Sequence, residues 1–136
     1  MKIEFNGQTT IEAFKNAFNK HYHYLNLAFF SKAHDAFELN ASKFMINDNN
    51  LTLQDISKLV DKNCNISIDE FVTVKDLEYN AANEFGLHIQ VLRKSRNAWL
   101  ATTVTDKLTL KAQNEKGKES IVELNEDEIL DYREQD

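Results

Sequence analysis

The sequence contains no proline, one cysteine and only three glycines. The single cysteine, Cys64, excludes an intramolecular disulfide and is typical of a reducing compartment. Without proline and with so few glycines, turns must be formed by other residues that tolerate left-handed backbone, chiefly asparagine and aspartate. The chain contains fifteen asparagines. We therefore expect Asn and Asp at the turns.

Long apolar runs are also missing, and no stretch of the sequence is apolar enough to span a bilayer. The N-terminal segment MKIEFNGQTT lacks the basic and apolar regions of a signal peptide. We expect a cytoplasmic protein without membrane contact. An apolar share of 42% over 136 residues is typical of one globular domain, which we expect to cover residues 1–136.

The net charge of −6 is unevenly distributed. Residues 119–136 contain eight acidic side chains and one basic side chain, so this segment carries −7 and the remaining residues carry +1. An acidic total argues against a dedicated nucleic-acid-binding protein, but the nearly neutral body weakens that argument. We treat residues 118–136 as an acidic C-terminal extension.

The chain has the pattern of an internal repeat, with a first unit at residues 1–62 and a second at 64–117. A shift of 63 residues aligns Phe14 with Leu77, and a shift of 62 aligns Leu27 with Ile89 and Phe37 with Trp99. A final shift of 57 aligns the two Leu-Thr-Leu triplets. The same order of elements in both units favours duplication. Coincidence of hydrophobic period is the alternative.

Each unit has the pattern β-α-β-β-α. An alternating strand precedes a helix capped by Thr10 or Thr73, and an apolar strand, a hairpin and a short helix follow. We expect an α+β fold in which the two tandem units form one mixed or antiparallel sheet with helices mainly on one face. The leading picture is a ferredoxin-like sheet with extra strands. Residues 120–124 have the pattern of a further edge strand.

The second unit contains the longest motif. The segment from Phe85 to Leu100 and its continuation to Asn114 resemble a family of small bacterial proteins that share the pattern FGLxIQVxRKSxxxWLxTTxTDxLTLxxQN. The N-terminal MKIEFNG and TIEAFKNAF segments are similar to the same proteins, so the resemblance covers most of the chain. It implies no activity, substrate, cofactor or site residue.

The hairpin turn departs from that family, whose turn reads Ser-Gly-Asn, because Arg96 replaces the glycine. Since a non-glycine residue is strained at positive φ, we expect Asn97 to take the left-handed position, in a type I turn followed by a bulge.

Chemistry-bearing residues are sparse. The histidines His21, His23, His34 and His88 have no carboxylate or thiol at ligand spacing, so we expect no metal site. Cys64 has no neighbouring histidine and no neighbouring run of basic residues, which argues against a nucleophilic role. Tautomerase-type enzymes built from paired βαβ units use an N-terminal proline as base, and this chain has none. We expect no enzyme activity and no cofactor.

The expected function is therefore an interaction module that acts by contacts and not by catalysis, with an unknown protein or a second copy as partner. Strand alternation predicts apolar side chains on the second sheet face, including Phe30 and Leu92, and either the short helices or a partner would cover that face. The alternative is nucleic-acid binding or regulation by Arg93, Lys94 and Arg96 at the hairpin tip, with the acidic extension as a competitor. The opposing interpretation is a solvated hairpin with Trp99 buried in the core.

Overall fold

A computed structural model describes residues 1–32 and 41–121. These residues form an α+β fold, which confirms the predicted class. The strands are β1 (Lys2–Phe5), β2 (Leu25–Phe30), β3 (Cys64–Ser67), β4 (His88–Ser95) and β5 (Ala98–Ala101). The helices are α1 (Ile11–His21), α2 (Leu53–Ile56), α3 (Val74–Phe85) and α4, described at 110–121. Short 3-10 helices cover Ala41–Phe44 and Thr103–Thr105.

The described strands form two antiparallel sheets, which corrects the prediction of a single sheet. One sheet contains β1 and β3, and the other has the strand order β2-β4-β5. The strands separate into two sheets because each long helix packs against both of them. Helix α1 contacts β1 and β2, and α3 contacts β3 and β4. The first strand of each unit therefore packs beside its helix and does not extend the larger sheet. The ferredoxin-like picture stays unconfirmed.

Both sheets have a register with twofold character. In the smaller sheet Ile3 pairs with Ile66, and in the larger sheet Ala28 pairs with Gln90. These are the residues that the sequence shifts of 63 and 62 align with each other. A residue that pairs with its own counterpart lies on an approximate twofold axis relating the two units. The two units therefore meet strand against strand in each sheet.

Backbone hydrogen bonds that join each long helix to the approach of the short helix recur in both units. Ile11 N–H donates to Leu51 O in the first unit, and Val74 N–H donates to Leu108 O in the second. The other corresponding bonds, donor first, are Glu12–Asn49 and Lys75–Asp106, Leu53–Thr9 and Leu110–Val72, and Gln54–Gly7 and Lys111–Glu70. Corresponding residues thus differ by 63 before the hairpin and by 57 after it. Duplication as the origin of this correspondence stays a prediction.

Helix ends follow the expected chemistry. The hydroxyl oxygens of Thr10 and Thr73 each accept a first-turn amide, from Ala13 N–H and Asp76 N–H. This satisfies one of the free N–H groups at each helix start. Helix α3 ends at Gly86, whose φ of 61° is a left-handed conformation that glycine adopts without strain.

The buried apolar side chains of both units belong to one core. Phe14 of α1 joins the two sheets, because its ring packs edge-on against Phe5 of β1 at 5.3 Å and against Phe29 of β2 at 5.6 Å between centroids. The predicted core residues Leu77, Leu27 and Ile89 are buried. The counterpart predicted for Trp99, Phe37, lies outside the described residues. So does all of the return strand predicted at 37–41 except Ala41, which begins a 3-10 helix.

The C-terminal part of the second unit differs from its prediction. The spacing in the second unit predicts a short helix that ends near Gly117, but α4 is helical to residue 121, so 120–121 are not the start of an edge strand. Gly117 is buried, and a Cβ atom there would lie 2.8 Å from the Cβ atom of Tyr24. Glycine therefore lets α4 approach β2 closely. The rest of the acidic extension, from residue 122 onwards, lies outside the described residues.

Candidate functional site

The hairpin of β4 and β5 turns at Arg96 and Asn97, and its geometry corrects the predicted turn. Arg96, not Asn97, has positive φ, at 55°. A two-residue loop closed by the Ser95–Ala98 pair leaves no room for the bulge that Asn97 would need. The Arg96 N–H donates to the hydroxyl oxygen of Ser120 on α4 at 3.1 Å, which holds the turn against the helix.

The three basic residues predicted at the tip do not share one face. Arg93 and Lys94 are consecutive on β4, so their side chains lie on opposite sides of the sheet. Arg93 is half-buried and donates from Nη1 to the Gln113 Oε1 of α4 at 2.9 Å. The Lys94 ammonium lies 5.1 Å from the ring centroid of Trp99 on the other face. Arg96 is exposed at the turn.

Strand β5 is the exposed edge of the larger sheet. All four of its residues are exposed, including Trp99 at 39% and Leu100. The predicted burial of Trp99 in the core is therefore corrected: its side chain lies on the sheet face opposite to the helices. Val104, just beyond the strand, is 86% exposed. Residues 97–105 contain no charged side chain.

The other two residues of the predicted binding surface differ in accessibility. Phe30 is 6% exposed and therefore contributes almost no surface, which corrects its assignment to an open apolar face. Residues 44–46 explain part of this burial, because they form backbone hydrogen bonds along the free edge of β2. Ser31 N–H donates to Phe44 O, and Ile46 N–H donates to Phe29 O. Leu92 is half-buried and lines a shallow cleft.

Glu78, a half-buried carboxylate on α3 beside the end of β5, has a strongly raised pKa. Glu78 of α3 accepts from Val91 N–H at 2.8 Å and from Gln90 Nε2 at 3.1 Å, both at Oε2. Burial raises the pKa of Glu78 to about 7, the Val91 hydrogen bond opposes this rise, and the charge of Asp106 adds to it. Thr103 Oγ1 donates to Gln90 Oε1 and completes the network. The arrangement satisfies the backbone N–H of Val91 at the point where the chain after β5 diverges from β4.

A second polar network lies between β4 and α4. The fully buried Gln113 donates from Nε2 to Thr105 O and Oγ1 and accepts from Arg93. Thr102 Oγ1 donates to Val91 O at 2.8 Å, and Asn114 Oδ1 accepts from Tyr24 N–H. These contacts fix α4 and the end of the hairpin to the sheet.

Sequence reasoning did not identify these networks, although a signal for most of them was present. Seven of the polar positions of the pattern quoted for the second unit belong to these networks: Gln90, Arg93, Thr102, Thr103, Thr105, Gln113 and Asn114. These positions of the pattern therefore have a structural explanation as a set of buried and half-buried hydrogen bonds. Glu78 has no such signal, because it resembles any solvated charge beside the buried Leu77.

Among residues 1–32 and 41–121, no three His, Cys, Asp or Glu side chains are grouped so that they could hold a metal ion. His21 ends α1 and His23 follows it in a turn. Cys64 is half-buried at the start of β3, with its sulfur nearest to the backbone oxygens of Asp61 and Lys62. In the same described part of the chain, no helix is long and apolar enough to cross a membrane.

Comparison of the chain with protein-family models, with curated proteins and with solved structures gave no match. The class defined by fold and site is thus an α+β domain with a polar network closed by its own side chains and an open, uncharged edge strand.

Proposed function

We propose that this chain is a non-catalytic interaction module that pairs through β5, with a second copy of the chain as its partner. The observation that carries the proposal is the open edge: the four residues of β5, Leu100 among them, are exposed and uncharged, and the exposed apolar side chain of Val104 follows them. Natural edge strands usually carry charge, proline or a cover that prevents pairing. Residues 98–101 carry neither charge nor proline.

The pairing of β4 with β5 shows which N–H and C=O groups of β5 point outward. Lys94 N–H donates to Tyr24 O on the side away from β5, so the Lys94–Trp99 pair is not hydrogen-bonded between β4 and β5. Trp99 therefore points its N–H and C=O outward, and Ala101, two residues on, does the same. Within the described residues these four groups have no hydrogen-bond partner. They form a ready template for an antiparallel strand.

A second copy of β5 fits this template in a self-complementary register. Twofold pairing about Leu100 sets Trp99 opposite Ala101 of the other copy, so that a large side chain meets a small one on the same face. Each such pair exchanges two backbone hydrogen bonds, four in total. The two Leu100 side chains meet in the closer, non-hydrogen-bonded pair. Because the strand is short, we expect a weak dimer at the low end of interface sizes.

Sedimentation velocity from micromolar to millimolar protein tests the proposal. We expect a concentration-dependent dimer that Leu100→Lys and Ala101→Pro convert to monomer. Proline at position 101 removes an outward N–H and no ladder bond, so the hairpin is retained. Phe71→Lys places the same charge on an exposed aromatic in the loop before α3 and should leave the dimer unchanged. A wild-type monomer at millimolar concentration would disprove self-pairing.

A cross-link tests the register separately. In a Cys64→Ser background, Leu100→Cys should form an intermolecular disulfide readily, since Cα atoms in a non-hydrogen-bonded pair lie about 4.5 Å apart, within disulfide reach. Trp99→Cys is the matched variant, because it would cross-link faster only if the strands paired about residue 99. Equal, slow oxidation of both variants would count against pairing along β5.

Nucleic-acid binding by the hairpin tip is the alternative prediction. Arg93 is engaged with Gln113 and Lys94 lies over Trp99, so a phosphate backbone would meet Arg96 and Lys94 without Arg93. Truncation after residue 121 removes most of the acidic extension and keeps Ser120, which holds the turn. If the alternative holds, this truncation strengthens binding to single-stranded DNA at low salt, and added salt weakens it steeply. Equal absence of binding by both forms would exclude it.

A further inference from the structure

The residue that follows β5 is held firmly to β4. Thr102 comes directly after Ala101, the last residue of β5, and both its N–H and its hydroxyl donate to Val91 O. Thr102 is 2% exposed, whereas Ala101 is exposed. Because the two residues are joined by one peptide bond, the position of Thr102 fixes the direction in which the outward C=O of Ala101 points.

The Glu78 carboxylate supports this strand end by two routes. One of its oxygens accepts from the Gln90 side-chain amide at 3.1 Å, and Thr103 Oγ1 donates to Gln90 Oε1 at 3.1 Å. The same carboxylate oxygen accepts Val91 N–H, and Val91 O is the acceptor that holds Thr102. A displacement of the carboxylate therefore removes a partner from the strand residue and from the side chain that together hold the end of β5.

Burial and a neighbouring negative charge both oppose ionisation of Glu78. Burial raises the pKa of Glu78 to about 7, the Val91 hydrogen bond opposes this rise, and the charge of Asp106 adds to it. Asp106 belongs to the segment that leads from β5 to α4, and its backbone oxygen accepts Lys75 N–H of α3 at 2.8 Å. When Glu78 ionises, α3 and the segment after β5 therefore present like charges to each other.

Cationic groups lie on the same elements as Glu78. Lys75 is one turn earlier on α3, Lys107 follows Asp106, and His88 is two residues before Gln90 on the same face of β4. In the part of the chain that the structure describes, none of these cations forms an ion pair with Glu78. An ionised Glu78 gains water or a counter-charge only by leaving its half-buried position beside β4.

We infer that Glu78 makes self-pairing through β5 depend on pH, with the protonated carboxyl supporting the dimer and the ionised carboxylate weakening it. This inference rests on the proposed pairing of two β5 strands and adds its regulation. The protonated carboxyl stays in place and keeps Thr102 and Thr103 on β4. The ionised carboxylate moves toward water, the strand end loosens, and the outward groups of Ala101 form a poorer template for the second copy.

The sign of the effect depends on which state holds the proton more tightly. A displaced, hydrated Glu78 has a pKa near its ordinary value of 4.5, below the value of about 7 in the half-buried position. Raising the pH between these two values therefore favours the displaced state, and this advantage is kept above them. Because the dimer requires the other state, its dissociation constant should rise across the same window.

Sedimentation velocity of the full chain at about pH 5.5 and about pH 8, at constant ionic strength, tests the inference. We expect the dissociation constant of the dimer to be higher at the upper pH by about threefold or more. Glu78→Gln keeps an acceptor oxygen and cannot ionise, so it should bring the two constants together. Glu84→Gln, an exposed acid on the same helix, and His88→Gln, which removes the imidazole of β4, should keep the wild-type pH dependence.

Two further measurements separate a titrating role from a merely structural one. Asp106→Asn removes the neighbouring charge without removing a hydrogen bond of Glu78, so it should move the midpoint of the pH dependence to lower pH. In a Leu100→Lys background, hydrogen exchange at the Thr102 amide should accelerate with pH beyond the intrinsic chemical rate, and Glu78→Gln should remove this excess. The exchange readout does not require self-association.

The outcomes distinguish the regulation from the pairing on which it rests. A wild-type monomer at every pH disproves self-pairing, and the inference is lost with it. A dimer with equal dissociation constants at both pH values overturns the regulation alone. So does a pH dependence that survives Glu78→Gln, or a Thr102 amide whose protection does not change with pH.

Discussion

Lys15 on α1 and Glu78 on α3 occupy corresponding positions in the two units, and they carry opposite charges. Glu78 accepts the Val91 N–H of β4 at 2.8 Å, whereas Lys15 donates to the side-chain oxygen of Asn49 at 2.9 Å. The two units therefore make different polar contacts at corresponding positions.

The raised pKa of Glu78 predicts that stability falls as pH rises. The folded-state pKa is about 7 and the ordinary value is 4.5, so the folded state holds more protons than the unfolded state between these values. The free energy of unfolding should therefore fall across this window, by up to about 3 kcal/mol, and stay low above it. Urea unfolding at a series of pH values measures it. Glu78→Gln should flatten the profile, and Glu84→Gln, an exposed acid on the same helix, should not.

Close packing of α4 against β2 predicts a cost for any side chain at position 117. Gly117→Ala would bring a Cβ atom within 2.8 Å of the Tyr24 Cβ atom and 3.0 Å of the Tyr24 O. We expect a loss of about 1–3 kcal/mol despite the better helix propensity of alanine. Lys118→Ala, at the next and exposed position, should have almost no effect. Equal stabilities of the two variants in thermal unfolding would contradict this packing.

Burial predicts different costs for two aromatic truncations. Phe14→Ala removes a ring that joins both sheets and should cost about 3–5 kcal/mol. Trp99→Ala removes a side chain on the exposed edge and should cost less than about 1.5 kcal/mol. Chemical denaturation of both variants checks the prediction. A loss at Trp99 as large as that at Phe14 would restore the core position that the sequence pattern indicated.

Because the two units have corresponding helix caps, we expect cap substitutions in either unit to lower the free energy of unfolding by similar amounts. Thr10→Ala and Thr73→Ala each remove one side-chain acceptor from a first-turn amide, so each should cost about 1 kcal/mol. Thr10→Ser and Thr73→Ser, which keep the hydroxyl, should recover most of the loss. Clearly unequal costs in urea unfolding would show that the units are alike in pattern but not in energetics.

The fold class and the helix starts were predictable from local sequence. Thr10 and Thr73 precede apolar residues at helical spacing, and capping depends only on neighbouring residues. The turn at Arg96 was not predictable, because asparagine is the better residue for positive φ on intrinsic grounds. A two-residue loop closed by Ser95 and Ala98 places the positive φ one residue earlier. The pairing of β4 with β5 therefore placed the positive φ at Arg96, although asparagine has the higher intrinsic preference for it.

The sequence by itself determined the strand, helix and strand that begin each unit, and the inward face of β2 and β4, because alternation and helical period depend on nearby residues alone. Only the tertiary structure decided that the strands divide into two sheets and that Trp99 lies outward while Phe30 is buried. It also decided which polar residues meet: Glu78 and Gln90 are 12 residues apart, and Lys15 and Asn49 are 34 apart. Contacts between distant segments depend on how helices and strands pack, and no local pattern records that packing.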